Sequence, residues 1–253
     1  CDIFVLDAFA ASHREHASTS GVTEFVNQAC IGFLIREELK ALEITEKANS
    51  PILAILGGAK ISSKLSLINA LANKVDHLLL GGGIANTCLG SKGLEIGRSL
   101  VEPSLYSEAR NLVEKDNVLL PDKVVVAPNK ESAPREVGVE TLNKEECIFD
   151  ISPLYIDSIK KTFAEAKTII WNGPMGFFEE DKFSLGTMAV AELISKSDAY
   201  SVIGGGDTIA AAAQAKVLDS ISYVSTAGGA FLNYLEGKPL PALVAIEEKA
   251  LES

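Results

Sequence analysis

Short apolar runs separated by longer amphipathic segments set the rhythm of this chain. The runs near 51–56 (PILAIL), 75–80 (VDHLLL), 123–127 (KVVVA), 167–171 (KTIIW), 199–203 (AYSVI) and 221–225 (ISYVS) are short and largely apolar, as strands covered on both faces are. Segments 60–73, 104–115, 155–166, 186–197 and 207–217 fit helices between them. A further helix is expected over 22–43, with Val22, Phe25, Val26, Ala29, Phe33, Leu34 and Leu42 at three-to-four spacing, long enough to connect two domains. The opening CDIFVLDAF reads as the middle of a strand, and the charge-rich stretch 129–146 as an exposed excursion. Strand and helix alternating in this way predict an α/β fold, a three-layer, doubly wound parallel sheet with helices on both faces.

The glycines sharpen that expectation. Of 20 glycines, 12 fall in five clusters, Gly57–Gly58, Gly81–Gly83, Gly173 with Gly176, Gly204–Gly206 and Gly228–Gly229, each directly after a predicted strand. Parallel strands would bring all five to the carboxyl edge of the sheet, where open α/β folds bind ligands. Glycine there allows positive φ and close approach of a ligand, and each following helix aims free N–H groups at the same crevice. Tight turns also use glycine for steric reasons alone, so the clusters suggest a phosphate or nucleotide crevice without requiring one.

Charge points the same way. In GGAKISSK (57–64), Lys60 and Lys64 lie four apart at the start of a predicted helix and should share a face, although cations there oppose the helix dipole. No Asp or Glu occurs from Lys47 to Val75, in a protein whose net charge is −11. An external polyanion would explain the pattern; two solvated lysines are the plainer alternative. In GGGDT (204–208), Asp207 stands where a helix N-cap would, or else holds Mg²⁺ on nucleotide phosphates. Asn172 and the turn of NGPMGFFEE would face the crevice, with Glu179 either accepting from a ribose or simply a surface acid. At 7–19, His13, Arg14 and His16 follow a strand, and Arg14 offers a bidentate fork for a phosphate or carboxylate, though taken alone a solvated loop explains the triplet better.

Composition narrows the classes. The acidic balance argues against a nucleic-acid or anionic-membrane surface, and no apolar run reaches the roughly 18 residues of a membrane span. Cys1, Cys30, Cys88 and Cys147 form no CxxC pair and three His are scattered, so free thiols in a reducing cytoplasm are expected. Neither GxxxxGK[ST] nor GxGxxG occurs, which counts against P-loop NTPases and nicotinamide-dependent dehydrogenases.

The segments DAFAASHREHAST (7–19), QACIGFL (28–34), LAILGGAKISSKL (53–65), LLLGGGIANTCL (78–89), TIIWNGPMGFFE (168–179), VIGGGDTIAA (202–211) and STAGGAFLNYLEGKPLPA (225–242) together resemble the phosphoglycerate kinase family, in its order and over nearly the whole chain. GGGIANT is similar to bacterial members. The resemblance implies a glycolytic kinase that moves a phosphoryl group between 1,3-bisphosphoglycerate and ADP·Mg²⁺, giving 3-phosphoglycerate and ATP, with a Rossmann-like nucleotide domain and a monomeric state. It implies that Arg14 holds the triose phosphate, that Lys60 follows the migrating phosphoryl group with Gly205 and Gly206, and that Lys64 binds nucleotide phosphates. Asp207 would hold Mg²⁺, Thr208 would touch the phosphates, Glu179 the ribose, and Gly58, Ala59, Gly82, Gly83 and Asn172 would complete the nucleotide site, with 81–83 leaving room for the adenine.

By the same resemblance, residues 1–20 are the remnant of an amino-terminal substrate domain, 21–43 an interdomain helix, 44–235 the nucleotide domain, and 236–253 a segment returning toward the substrate domain. The family's early DxN segment and basic cluster find no match, so a fragment that binds nucleotide but turns over poorly is expected. A non-catalytic nucleotide-binding module is the alternative. Departures include Ala10, Lys123, Ser152 in place of a glycine whose backbone would meet the nucleotide, and Ala227, which fits only if its φ is negative.

Overall fold

The computed structural model describes residues 1–46 and 49–251. Lys47 and Ala48, at the head of the acid-free stretch, and residues 252 and 253, at the end of the returning segment, lie outside the described residues. In chain order the elements begin β1 (Ile3–Leu6), β2 (Gln28–Ile31), α1 (Phe33–Glu46), β3 (Ile52–Leu56), α2 (Leu65–Ala72), β4 (His77–Leu80) and α3 (Gly82–Ser91). Next come α4 (Tyr106–Val113), β5 (Val118–Leu119), β6 (Lys123–Ala127), β7 (Arg135–Gly138), β8 (Cys147–Ile151), α5 (Pro153–Ser158), α6 (Lys160–Glu165) and β9 (Thr168–Asn172). The chain continues through α7 (Leu185–Ser195), β10 (Tyr200–Gly204), α8 (Gly206–Gln214), β11 (Tyr223–Ser225), α9 (Gly229–Leu235) and α10 (Pro241–Leu251).

These elements form two compact units, one of 1–48 with 225–253 and one of 49–224. The structural boundaries fall at Asn49 and Val224 rather than at the 44 and 235 expected from the sequence. In the first unit β1 and β2 pair in parallel, Leu6 opposite Ile31. Phe9, Ile35, Leu42, Phe231 and Ile246 are buried in it. The single helix expected over 22–43 is not formed: 21–25 is a short 3₁₀ turn, β2 follows, and the α-helix begins only at Phe33. Asp7 is the reason for that start, since its carboxylate accepts the N–H of Ile35 at 3.0 Å from the chain end of β1. Glu38 of α1, 1 % exposed, accepts from the Ser225 hydroxyl at 3.0 Å and from the Thr226 N–H and hydroxyl at 3.0 and 2.8 Å. Ala227 is not among the residues with positive φ, which satisfies the condition its side chain imposed.

The second unit carries a six-stranded sheet in the order β11-β10-β9-β3-β4-β5. Pairings β10/β9, β9/β3, β3/β4 and β4/β5 are all parallel. Order reverses beside β3, which makes β3 and its neighbours the switch point at which such sheets open a crevice. Leu53, Ile55, Ile169, Trp171 and Ile203 bury the sheet against Phe163, Val190 and Ile194 of the helices. The expected helix 155–166 is broken into α5 and α6, and α3 occupies a glycine-rich stretch where no helix was predicted.

Segment 123–127 is a strand, but it belongs elsewhere: β6 lies between β7 and β8 in a separate three-stranded antiparallel sheet. The stretch 129–146 is therefore only partly an excursion. Val137, Val139 and Leu142 are buried with Val124 and Val126, and Glu146 accepts both forks of Arg135 at 2.7 and 2.6 Å. Ser152 has a local task, accepting the Leu154 N–H at 3.0 Å as the N-cap of α5 ahead of Pro153.

Candidate functional site

Three turns at the carboxyl ends of β3, β4 and β9 are packed backbone against backbone. A Cβ on Gly57 would overlap the Pro174 carbonyl, one on Gly83 the Ala59 carbonyl, and one on Gly173 the Gly57 carbonyl. Hydrogen bonds follow the same seams: Gly57 N–H donates to Asn172 O at 3.0 Å and Gly82 N–H to Met175 O at 2.8 Å. The Gly81–Gly83 run is thus packed against protein on the side where its Cβ atoms would stand. The turn after β10 differs. Gly205, at φ +95°, is the N-cap of α8, while Gly206 is exposed with nothing within 4 Å of its Cβ position.

Asp207 is the second residue of α8, not its N-cap, and makes no capping bond. Its exposed carboxylate lies beside N–H groups that a helix start leaves without intrahelical partners. Thr208 faces inward, 1 % exposed, donating to Gly204 O at 2.8 Å and accepting the Gly173 N–H at 2.7 Å. Asn172 is buried beside it; its Nδ2 donates to Gly204 O at 2.6 Å, and its Oδ1 is buried with no protein partner.

The two lysines do not share a helix face. Residues 61–64 form a turn, α2 starts at Leu65, and Lys64 is its N-cap with Lys60 exposed in the loop before. Lys64 folds back over the strand ends, its Nζ donating to Gly57 O at 2.7 Å and Asn172 O at 3.2 Å. Burial pushes its ammonium down to about 8, against the pull of the Asp207 carboxylate. The acid-free stretch receives a carboxylate from elsewhere in the chain. Glu102 accepts the Ser62 N–H at 2.9 Å and its hydroxyl at 2.6 Å, and these donors hold its carboxyl below the ordinary range.

A cavity of about 420 Å³ opens over these turns. Gly58, Ala59, Gly82 and Gly83 form one side, Leu100, Val124, Ile148, Met175 and Phe177 supply apolar walls, and Arg98, Glu179 and Asp207 add charge. Of the residues singled out in the sequence, the cavity gathers Gly58, Ala59, Gly82, Gly83, Glu179 and Asp207. Lys64 reaches the same turns through Gly57, while Asn172 and Thr208 are sealed behind them. Arg14 belongs to the other unit, where its Nε donates to His13 Nε2 at 3.2 Å. Sequence reasoning missed Arg98 and Asp150, both lining the cavity: Arg98 sits in no glycine turn or motif, and the DISP segment that Asp150 opens was read only at Ser152. Among the described residues no cluster of three or more His, Cys, Asp or Glu could hold a metal by itself. A single exposed carboxylate such as Asp207 suits an ion that takes its remaining ligands from phosphates and water. No helix among the described residues is long and apolar enough to cross a membrane.

A glycine-walled slot at the carboxyl edge of a parallel sheet, with a free helix start and a lysine beside it, defines an α/β protein of the doubly wound class. A family model described as phosphoglycerate kinase matches residues 1–238. The phosphoglycerate kinase of Coxiella burnetii (strain RSA 493 / Nine Mile phase I) is 46 % identical over 260 residues, taking in 100 % of this chain and 66 % of its own length. That of Francisella philomiragia subsp. philomiragia is 47 % identical over 257 residues, 98 % of this chain and 66 % of its own. Among solved structures, phosphoglycerate kinase from Coxiella burnetii superimposes with a TM-score of 0.94 at 44 % identity, over 99 % of this chain and 66 % of that one. The enzyme from Pyrococcus horikoshii OT3 gives 0.86 at 29 % identity, over 100 % and 65 %. The chain belongs to the phosphoglycerate kinase family, and it spans about two-thirds of the length of these relatives.

Proposed function

We propose that the cavity over the β3, β4 and β9 turns binds ADP or ATP, and that the protein works in the reversible transfer of a phosphoryl group between 1,3-bisphosphoglycerate and ADP·Mg²⁺. The observation that carries this reading is the meeting of an apolar, glycine-walled slot with the exposed start of α8 and the Asp207 carboxylate. The slot takes the base, Glu179 the ribose, and the phosphates run toward Gly205, Gly206 and Lys64. Lys64 is partly desolvated and hydrogen-bonded to carbonyl oxygens, so a phosphate oxygen is a better partner for its ammonium than the Gly57 and Asn172 carbonyls. Lys60, exposed at the end of the same turn, follows the transferred group, and Arg14 holds the triose phosphate. Thr208 acts from behind, fixing the Gly173 turn, with Asn172 next to it. Mg²⁺ held on Asp207 would neutralise the charge of the phosphates. Transfer of this kind needs positioning and charge neutralisation more than covalent chemistry, which suits a site built from N–H groups, lysines and one carboxylate. A monomer in the cytoplasm fits the reading.

Calorimetric titration of the 253-residue chain with Mg·ADP tests it. Saturable one-to-one binding that is weakened at least tenfold by Lys64→Ala is expected; no binding, or binding indifferent to Lys64, overturns it. Since Arg14 is the only triose contact carried over, a coupled assay with ATP and 3-phosphoglycerate should give little turnover from these residues alone. Robust turnover would contradict that second expectation while leaving the nucleotide site intact.

A further inference from the structure

The turn of residues 173–177 walls the cavity through Met175, Gly176 and Phe177, yet it carries no regular secondary structure of its own. Its shape is set from outside. Met175 O accepts from Gly82 N–H at 2.8 Å, Phe177 N–H donates to Phe149 O at 2.7 Å, and Met175 N–H donates to the Thr187 hydroxyl oxygen at 3.1 Å. Thr187, fully buried in the first turn of α7, follows Gly186, whose N–H the Asp150 carboxyl accepts.

Asp150 is 1 % exposed and stands at the meeting of β8, α7 and the turn. Its carboxyl accepts the Gly186 N–H at 2.6 Å and its neighbour Ile151 N–H at 2.9 Å. It is therefore a non-local cap for α7, occupying the donors a helix start leaves free. Two glycines make room for it, since a Cβ on Gly176 would overlap Oδ1 and one on Gly186 would come within 2.9 Å of both oxygens. A buried carboxyl with this many donors, touching a ligand-cavity wall on one side and a helix on the other, does more than cap.

We propose that Asp150 and Thr187 are positioning residues of the cavity: the carboxyl fixes the start of α7 through the Gly186 N–H and so places the Thr187 hydroxyl that holds the 173–177 turn where a bound nucleotide requires it. The proposal rests on the nucleotide reading of the cavity. Asp150 reaches the cavity wall but is 1 % exposed, and both residues act through Met175 and Gly176. Burial pushes the Asp150 carboxyl up to about 8 while its N–H donors pull it back. The titratable groups on the elements packed against β8 are Lys123 on β6, Cys88 on α3 and Glu192 on α7, with Arg98, Cys147, Glu179 and Asp207 along the cavity.

Trp171, the sole tryptophan and fully buried, donates its indole N–H to Gly173 O at 2.8 Å, so its emission reports the turn without any ligand. The experiment combines that emission with Mg·ADP titration for the full chain and for Asp150→Asn, Thr187→Val, Thr187→Ser and Glu179→Ala. Asp150→Asn and Thr187→Val should each shift the Trp171 emission and raise the ADP dissociation constant about tenfold, and the double variant should lose little more, as members of one network do. Thr187→Ser, which keeps the hydroxyl, should restore both readouts. The wild-type emission should titrate with a midpoint about pH 8, and Asp150→Asn should not. Glu179→Ala should lose affinity with an unchanged emission. If Asp150→Asn does not fold, the Thr187→Val and Thr187→Ser pair decides alone. Wild-type emission and affinity in Thr187→Val overturn the proposal. Failure of the wild type and every variant to bind ADP would instead remove the nucleotide reading, and the positioning proposal with it, even if the emission changes.

Discussion

The chain contains two runs of three glycines at the ends of parallel strands, Gly81–Gly83 directly after β4 and Gly204–Gly206 beginning on the last residue of β10, and the fold uses them in opposite ways. At the first run every added Cβ meets protein: Met175 at Gly81, the Gly58 carbonyl at Gly82, the Ala59 carbonyl at Gly83. The helix that follows, α3, is buried on nearly all sides. At the second run, Gly206 faces open space and α8 begins with its N–H groups and Asp207 exposed. One run seals two turns together, and the other keeps a helix start accessible to an anion. Equal composition therefore hides two demands, close backbone packing and open approach, and only the surroundings separate them.

The sharpest way to break this contrast is Gly83→Ala. In an exposed helix the change would stabilise by roughly 0.5–1 kcal/mol, because glycine loses more entropy on folding. Here the methyl meets the main chain of Ala59, which cannot move without dragging the end of β3. The sign should reverse, with a loss of about 3 kcal/mol or more. Urea unfolding checks it, through a fallen midpoint at an unchanged slope. A neutral result would mean that the two turns are not packed as described.

Much of the edge was legible in advance because it depends on local chemistry. Strands 52–56, 77–80, 168–172 and 200–204 announced themselves by apolar runs ending in glycine. What was not legible depended on partners distant in sequence. Helix α3 hides from periodicity because it is buried on nearly all sides, so no polar face alternates with an apolar one. β6 reads like a sheet strand, and only its pairing with β7 and β8 sends it into a separate antiparallel layer. The 22–43 stretch has helical spacing, but the Asp7 carboxylate fixes the helix start through the Ile35 N–H, 28 residues away. In the candidate site, the glycines, Lys64, Glu179 and Asp207 could be named from motifs and family resemblance. Glu102, Asp150 and Thr187 could not, since each acts through a hydrogen bond across at least 12 residues of chain.

Lys64 links the sealed turns to the open one, and Lys64→Met tests the link at intermediate cost. At neutral pH the ammonium satisfies the Gly57 and Asn172 carbonyls, so its removal should loosen the strand ends and weaken Mg·ADP at least tenfold. The pH dependence has a definite sign. The folded state holds this proton less tightly, about 8 against 10.5 for the free side chain, so between those values the unfolded chain binds more protons. Stability of the wild type should therefore rise relative to Lys64→Met as pH goes from about 8 to 10.5, by at most roughly 1.4 kcal/mol per unit. The Cys88 thiol, pushed up to about 12 by burial, acts oppositely, but it is present in both proteins and drops out of the difference. Chemical denaturation of the pair across that range measures it; parallel curves would mean that Lys64 is not desolvated.

Gly206→Ala should have the smallest effect on the fold and the most selective effect on the ligand. Nothing lies within 4 Å of the new methyl, and Gly206 is not among the glycines with positive φ. Stability should stay level or rise by about 0.4–1 kcal/mol through the stiffer unfolded chain. The methyl would nevertheless stand where phosphates approach the start of α8, so Mg·ADP should bind several-fold more weakly while the melting temperature holds. The same substitution at Gly83 should do the reverse, losing the fold first. If Gly206→Ala binds ADP as the wild type does, the open turn is open for some reason other than a phosphate, and the contrast between the two glycine runs reduces to packing alone.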